Sequence, residues 1–113
     1  MLFPDAVEAL SALGHGSRLA VFRLLVKAGR EGMAAGAIAR EVGAPPSTLS
    51  THLTILSHAG LIQSRRDGRS VIYLANYEGM RDLLGFLVAD CCGGRPEICE
   101  PLTSLTQNCC PGA

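Results

Sequence analysis

A chain of 113 residues with 48% hydrophobic and 18% charged residues has the size and composition of one globular domain. It is too apolar to be a disordered chain and lacks the apolar run of about 18 residues that would mark a membrane span. Net charge is zero but unevenly placed: Lys and Arg outnumber Asp and Glu over residues 1–85, whereas beyond them Arg95 stands against Asp90, Glu97 and Glu100, so any contact with nucleic acid must come from local placement rather than from the sum.

The first five residues, Met1-Leu2-Phe3-Pro4-Asp5, carry no basic segment ahead of an apolar run, so a cytoplasmic location is expected. So short a chain buries a modest core, and a second copy is the simplest supplement.

Ala6, Val7, Leu10 and Leu13 recur at helical spacing and predict a first helix over 4–13, broken by Gly14-His15-Gly16. Ser17 is the expected cap of a second helix to about Ala28, with Val21, Phe22 and Leu25 on one face. Gly29-Arg30-Glu31-Gly32 reads as a loop. A short third helix spans 34–42 and ends at Gly43. Pro46 suits the first turn of a fourth helix, which reaches His58 before Gly60 stops it. Leu61–Arg66 and Arg69–Leu74 are two apolar, β-branched runs joined by Asp67-Gly68, a strong hairpin signal. Asn76 caps a fifth helix over about 77–92, which Gly93-Gly94 ends, and residues 93–113 read as a loose cysteine-rich tail. The expected organisation is a domain over 1–92 followed by that tail.

On a wheel of the fourth helix, Leu49, Leu53, Leu56 and Gly60 fall on one side, and Ser47, Ser50, Thr51, Thr54 and His58 fall roughly opposite. The second stripe holds short polar side chains and no carboxylate. Carboxylates repel phosphate, whereas short hydroxyls let a helix sit deep in a groove. The competing reading is an ordinary solvated helix face. The preceding short helix and tight turn make the pair a helix-turn-helix. His52 falls toward the inner side and is expected to be a semi-buried core histidine rather than a base-reading one. Arg65, Arg66 and Arg69 surround the hairpin tip, where guanidinium groups suit phosphate or minor-groove contact. A solvated charged turn is the alternative, but the position directly after a helix-turn-helix is where a wing belongs.

Cysteines stand at 91, 92, 99, 109 and 110 and nowhere earlier. Their odd number and clustering point to soft-metal binding or redox chemistry rather than to a disulfide framework. No Cys-x-x-Cys in a βαβ context, Ser/His/Asp set, phosphate loop or zinc-protease motif is present, so an enzyme is not expected.

Three stretches resemble the ArsR family of metal-responsive repressors: Leu13-Gly14-His15-Gly16-Ser17-Arg18-Leu19, then Ser47-Thr48-Leu49-Ser50-Thr51-His52-Leu53 continued by Leu56-Ser57-His58-Ala59-Gly60-Leu61-Ile62, and the wing Arg65-Arg66-Asp67-Gly68-Arg69 with Ile72-Tyr73-Leu74. The resemblance covers about residues 5–90. It implies a mostly α, winged helix-turn-helix homodimer, joined through its first and last helices, that blocks its own operator DNA and lets go when a toxic metal or metalloid binds. Ser47, Thr48, Ser50, Thr51, Arg65, Arg66 and Arg69 are then the expected DNA-binding residues. Many arsenic and cadmium sensors of the family carry Cys-x-Cys at the start of the third helix; this chain has Ala34-Ala35-Gly36 there, so those ligand positions do not carry over.

Met80, Leu83, Leu84, Leu87 and Cys91 form one stripe of the fifth helix, so Cys91 also reads as a packed interface residue. Adjacent residues of a regular helix do not face the same way, so a Cys91/Cys92 chelate needs the helix to fray, which Gly93-Gly94 permits. Arg95–Ile98 then lets Cys99 fold back. Three thiolates without a nearby histidine favour a soft three-coordinate guest, whereas zinc usually takes four ligands. The arrangement also resembles a branch of the family that senses As(III) or Sb(III) through cysteines near the C-terminus. Cys91, Cys92 and Cys99 are the expected metalloid ligands. Cadmium, lead or a methylated arsenical as inducer, and redox sensing by the same thiols, are the alternatives. Cys109-Cys110 is either a tail without a role in the switch or a second capturing pair.

Overall fold

A seam of alanines fixes how the chain begins to pack. The computed structural model describes residues 1–89; the first helix, α1, runs Phe3–Leu13 and buries Ala6, Ala9 and Ala12, each at most 2% exposed. Side chains this small let the helix backbone lie close against its neighbours. Val7 and Leu10, on the first helix through which two copies are expected to join, are exposed at 51% and 44% on another side of the same helix. The Asp5 carboxylate accepts from the Leu2 N–H at 3.1 Å and Pro4 occupies the first turn, which together start the helix.

The second helix, α2, spans Gly16–Ala28. Its cap is His15, not Ser17: the His15 Nδ1 accepts from the Ser17 N–H at 3.2 Å. Arg18 donates its Nε hydrogen to the Ala12 carbonyl at 2.7 Å, tying the start of α2 to the end of α1. A short 3-10 turn, Gly29–Glu31, follows, and Gly29 and Gly32 take φ of 70° and 66°. The two-residue strand β1, Met33–Ala34, was not expected from the sequence; it pairs antiparallel with the later strand β3, Ser70–Ala75.

Helix α3, Ala35–Val42, ends at Gly43 in the left-handed region, and α4, Pro46–His58, follows after Pro45. Strand β2, Ile62–Asp67, pairs with β3 from Ile62↔Ala75 to Asp67↔Ser70, giving a three-stranded antiparallel sheet in the order β1-β3-β2. The two-residue turn is therefore Gly68-Arg69, one position later than expected. Gly68, at φ 64°, takes the first central position, where primed hairpin turns need a left-handed residue. Among the described residues Leu25, Ile38, Leu49, Leu56, Leu61 and Val21 are the largest fully buried side chains, and they come from α2, α3, α4 and the residue that leads into β2.

Helix α5, Tyr77–Val88, begins where expected: the Asn76 Oδ1 accepts from the Gly79 N–H at 3.2 Å, while its Nδ2 donates to the Gly60 carbonyl at 3.0 Å. One side chain thus caps α5 and holds the turn that ends α4. Leu83, expected in a subunit interface, is buried within the protomer at 4% exposure. Contacts divide the chain into one compact unit, Met1–Leu83, and a second from Leu84 onward. Among the described residues no helix is long and apolar enough to cross a membrane.

Candidate nucleic-acid interface

The inner face of α4 is set by Leu49, Leu53 and Leu56, all at most 3% exposed. Anchoring those three turns Ser47, Thr48, Ser50, Thr51 and Thr54 to the surface, all exposed. The outer face is free of charge along its length up to His58 at its end. Two of its hydroxyls donate back into the helix: Thr54 Oγ1 to the Ser50 carbonyl at 2.9 Å, and Thr51 Oγ1 to the Ser47 carbonyl at 3.3 Å. The expected split of this helix into an apolar inner and a hydroxyl outer stripe is what the structure shows.

His52 lies on the inner side at 7% exposure, as a core histidine. Among the described residues its Nδ1 has no hydrogen-bond partner, and its ring centroid is 4.9 Å from that of His15 at an interplanar angle of 46°. Burial first, and then the charges of His15 and Arg18, hold its pKa below the ordinary 6.5.

The three wing arginines are not equivalent. Arg65 donates through Nη1 to the Arg30 carbonyl at 2.8 Å and through Nη2 to the Glu31 carbonyl at 3.0 Å. These carbonyls belong to the 3-10 turn that follows α2, so the guanidinium fastens the ribbon to the body of the protein. Arg66 and Arg69 are exposed, and among the described residues their guanidinium groups have no protein partner. Two cations without a partner among the described residues flank Asp67 and the hairpin turn, and the outer face of α4 is free of carboxylate, so both can meet an anionic surface. A groove elsewhere on the unit, lined by Asp5, Glu8, Glu78 and Asp82 with His58, has the opposite electrostatic character.

Sequence reasoning missed the Arg65 tether and the double role of Asn76. Cys91, Cys92, Cys99, Cys109 and Cys110 lie outside the described residues. Among the described residues no group of three or more His, Cys, Asp or Glu is arranged to hold a metal ion.

A helix-turn-helix whose second helix presents hydroxyls, followed by an arginine-tipped hairpin, defines a winged-helix DNA-binding regulator. Residues 13–65 match a family described as a helix-turn-helix domain. The nodulation protein NolR of Rhizobium meliloti is 38% identical over 82 residues, which are 73% of this chain and 65% of that protein, so the chain spans just under two thirds of it. An ArsR-like transcriptional regulator from a Rhodococcus species superposes with a TM-score of 0.71 over 93% of this chain and 92% of that one, at 21% identity. The homodimeric winged helix-turn-helix domain Mb0332 of Mycobacterium bovis, a possible ArsR-family regulator, is 31% identical, with a TM-score of 0.63 over 77% of this chain and 80% of that one. A possible transcriptional regulator for arsenical resistance is 27% identical, with a TM-score of 0.61 over 71% and 80% of the two chains. The chain belongs to the ArsR family of winged-helix transcriptional regulators.

Proposed function

We propose that this protein is a homodimeric, cytoplasmic repressor that binds operator DNA in its metal-free form and releases it when As(III) or Sb(III) is ligated as a trigonal thiolate complex by Cys91, Cys92 and Cys99. The observation that carries the DNA half of this reading is the pairing of α4, whose exposed face holds Ser47, Thr48, Ser50 and Thr51, with a wing whose Arg66 and Arg69 are unpaired among the described residues. Those hydroxyls face bases and phosphates in the major groove; the two arginines contact the phosphate backbone, and Arg65 holds the ribbon that presents them.

Assembly is supported by apolar side chains that the protomer leaves open. On α1 these are Val7 and Leu10; on the last turns of α5 they are Leu84, Leu87 and Val88, at 39%, 48% and 38% exposure. Residues 1–92 make up the DNA-binding and dimerising part, and 93–113 a cysteine-bearing tail. The inducer half rests on the donor set: thiolates without histidine suit a soft three-coordinate ion. The likeness to a possible transcriptional regulator for arsenical resistance adds to it.

The test is anisotropy of a labelled promoter duplex bound by the reduced protein, titrated in parallel with As(III), Sb(III), Cd(II), Pb(II) and Zn(II). Release by As(III) and Sb(III) at the lowest concentrations is expected. Release by cadmium, lead or a methylated arsenical ahead of them, or by an oxidant alone, assigns the thiols to a different signal.

A further inference from the structure

Helix α4, Pro46-Ser-Thr-Leu-Ser-Thr-His-Leu-Thr-Ile-Leu-Ser-His58, contains no arginine, lysine, asparagine or glutamine. The commonest specific contact to guanine is a bidentate Arg or Lys on O6 and N7, and adenine is most often read by a bidentate Asn or Gln. This helix can make neither. The one arginine of the helix-turn-helix, Arg40, is on α3, the helix of such a pair that crosses the DNA backbone rather than entering the groove, and the one basic side chain exposed on α4 is His58 in its last turn.

What the helix does offer is restricted further by its own hydrogen bonds. Thr54 and Thr51 turn their hydroxyl hydrogens onto the Ser50 and Ser47 carbonyls. A hydroxyl that has spent its hydrogen keeps only acceptor lone pairs. Each of these threonines therefore presents an acceptor and a methyl. The guanine edge in the major groove is two acceptors, N7 and O6, which meet such a surface lone pair to lone pair. An A·T pair supplies both complements at once: the N6 amino donor of adenine and the C5 methyl of thymine.

We propose that Thr51 and Thr54 are specificity-determining residues, and that α4 reads A·T pairs in each half-site through the thymine methyl and the adenine amino group while discriminating against guanine. This rests on α4 being the helix that enters the major groove. Ser47, Thr48 and Ser50, whose hydroxyl hydrogens are uncommitted among the described residues, serve phosphate or either base and carry little discrimination.

The experiment starts from duplexes recovered by the full-length, reduced, metal-free protein from a randomised pool. In the recovered sequence each thymine is replaced in turn by deoxyuridine, which removes only the methyl, and each guanine by 7-deazaguanine, which removes only N7. At least one thymine replacement per half-site is expected to weaken binding about fourfold, the worth of one buried methyl-sized group, and no guanine replacement is expected to matter. Thr51→Ser or Thr54→Ser, which keeps the hydroxyl and its internal bond, is expected to abolish the penalty at one thymine in a double-mutant cycle. Specific binding that is sensitive to 7-deazaguanine and indifferent to deoxyuridine overturns the proposal and leaves the DNA-binding role standing. A pool that yields no preferred sequence removes the reading of α4 as a recognition helix, and this proposal with it.

Discussion

The imidazoles of His15 and His52 stand 4.9 Å apart, one capping α2 from the surface and the other inside α4. The groups that press on His52, His15 and Arg18, are both cationic or able to become so, and both come from the start of α2. Protonating His52 therefore places charge in the core beside other positive charge, at the point where α2 supports α4.

That arrangement sets the sign of a pH dependence. The folded pKa of His52 lies below its unfolded 6.5, so the unfolded chain takes up more protons between the two values. Stability is expected to be complete above about pH 6.5 and to fall as the pH drops toward the folded pKa. Urea unfolding at a series of pH values measures it, with His52→Leu as the control that should flatten the acid side. An unchanged acid slope in that variant would place the effect elsewhere.

The wing arginines are expected to separate by salt dependence. Arg66→Ala and Arg69→Ala should each lower the slope of log affinity against log salt by about 1. Arg65→Ala should leave the slope as it is, because its guanidinium is occupied by the Arg30 and Glu31 carbonyls, and should weaken binding equally at all salt concentrations. It should also speed amide exchange around Gly32, whose N–H bonds the Gly29 carbonyl. A slope that falls with Arg65→Ala would make that residue a phosphate contact.

Gly79 lies in the first turn of α5 against the carbonyl of Gly60, and a β-carbon there would overlap that oxygen. Gly79→Ala is expected to cost about 1–3 kcal/mol despite the better helix propensity of alanine. Thermal unfolding decides it; a neutral or stabilising result would mean that the junction of α4 and α5 gives way easily.

Leu87→Asp and Val7→Asp place a charge on apolar surfaces that the protomer itself leaves exposed. Neither should unfold the protomer, but either should break a dimer by burying an unpaired charge, a loss of several kcal/mol. Sedimentation of each variant is the check. A stable Leu87→Asp dimer would show that the end of α5 is not the interface.

Much of this was legible in the sequence because the signals were strong and local. Pro46, Gly43 and Gly60 delimit α3 and α4, and the leucines of α4 leave its hydroxyls only one way to face. The alanine seam of α1 was not legible, since alanine carries little hydrophobic signal beside Val7 and Leu10. A two-residue strand such as β1 is too short to show a period of two. The hairpin slipped by one residue because Asp67-Gly68 and Gly68-Arg69 are both acceptable turns, and only the pairing of Ile62 with Ala75 chooses between them. Arg65 could not be told from Arg66 because its partners are carbonyls some 34 and 35 residues earlier in the chain.

The most direct test of the whole account joins its two ends, the helix that reads DNA and the thiols that release it. Promoter-duplex anisotropy is followed during As(III) addition for the native protein, for Cys91→Ser, Cys92→Ser and Cys99→Ser, and for a chain truncated after Leu105. The native and truncated proteins should release DNA with a coupling of about 1–3 kcal/mol, and each single variant should bind DNA normally but respond weakly. Release by Cys91→Ser or Cys92→Ser, with none by the truncated chain, would contradict the account and move the switch to Cys109-Cys110.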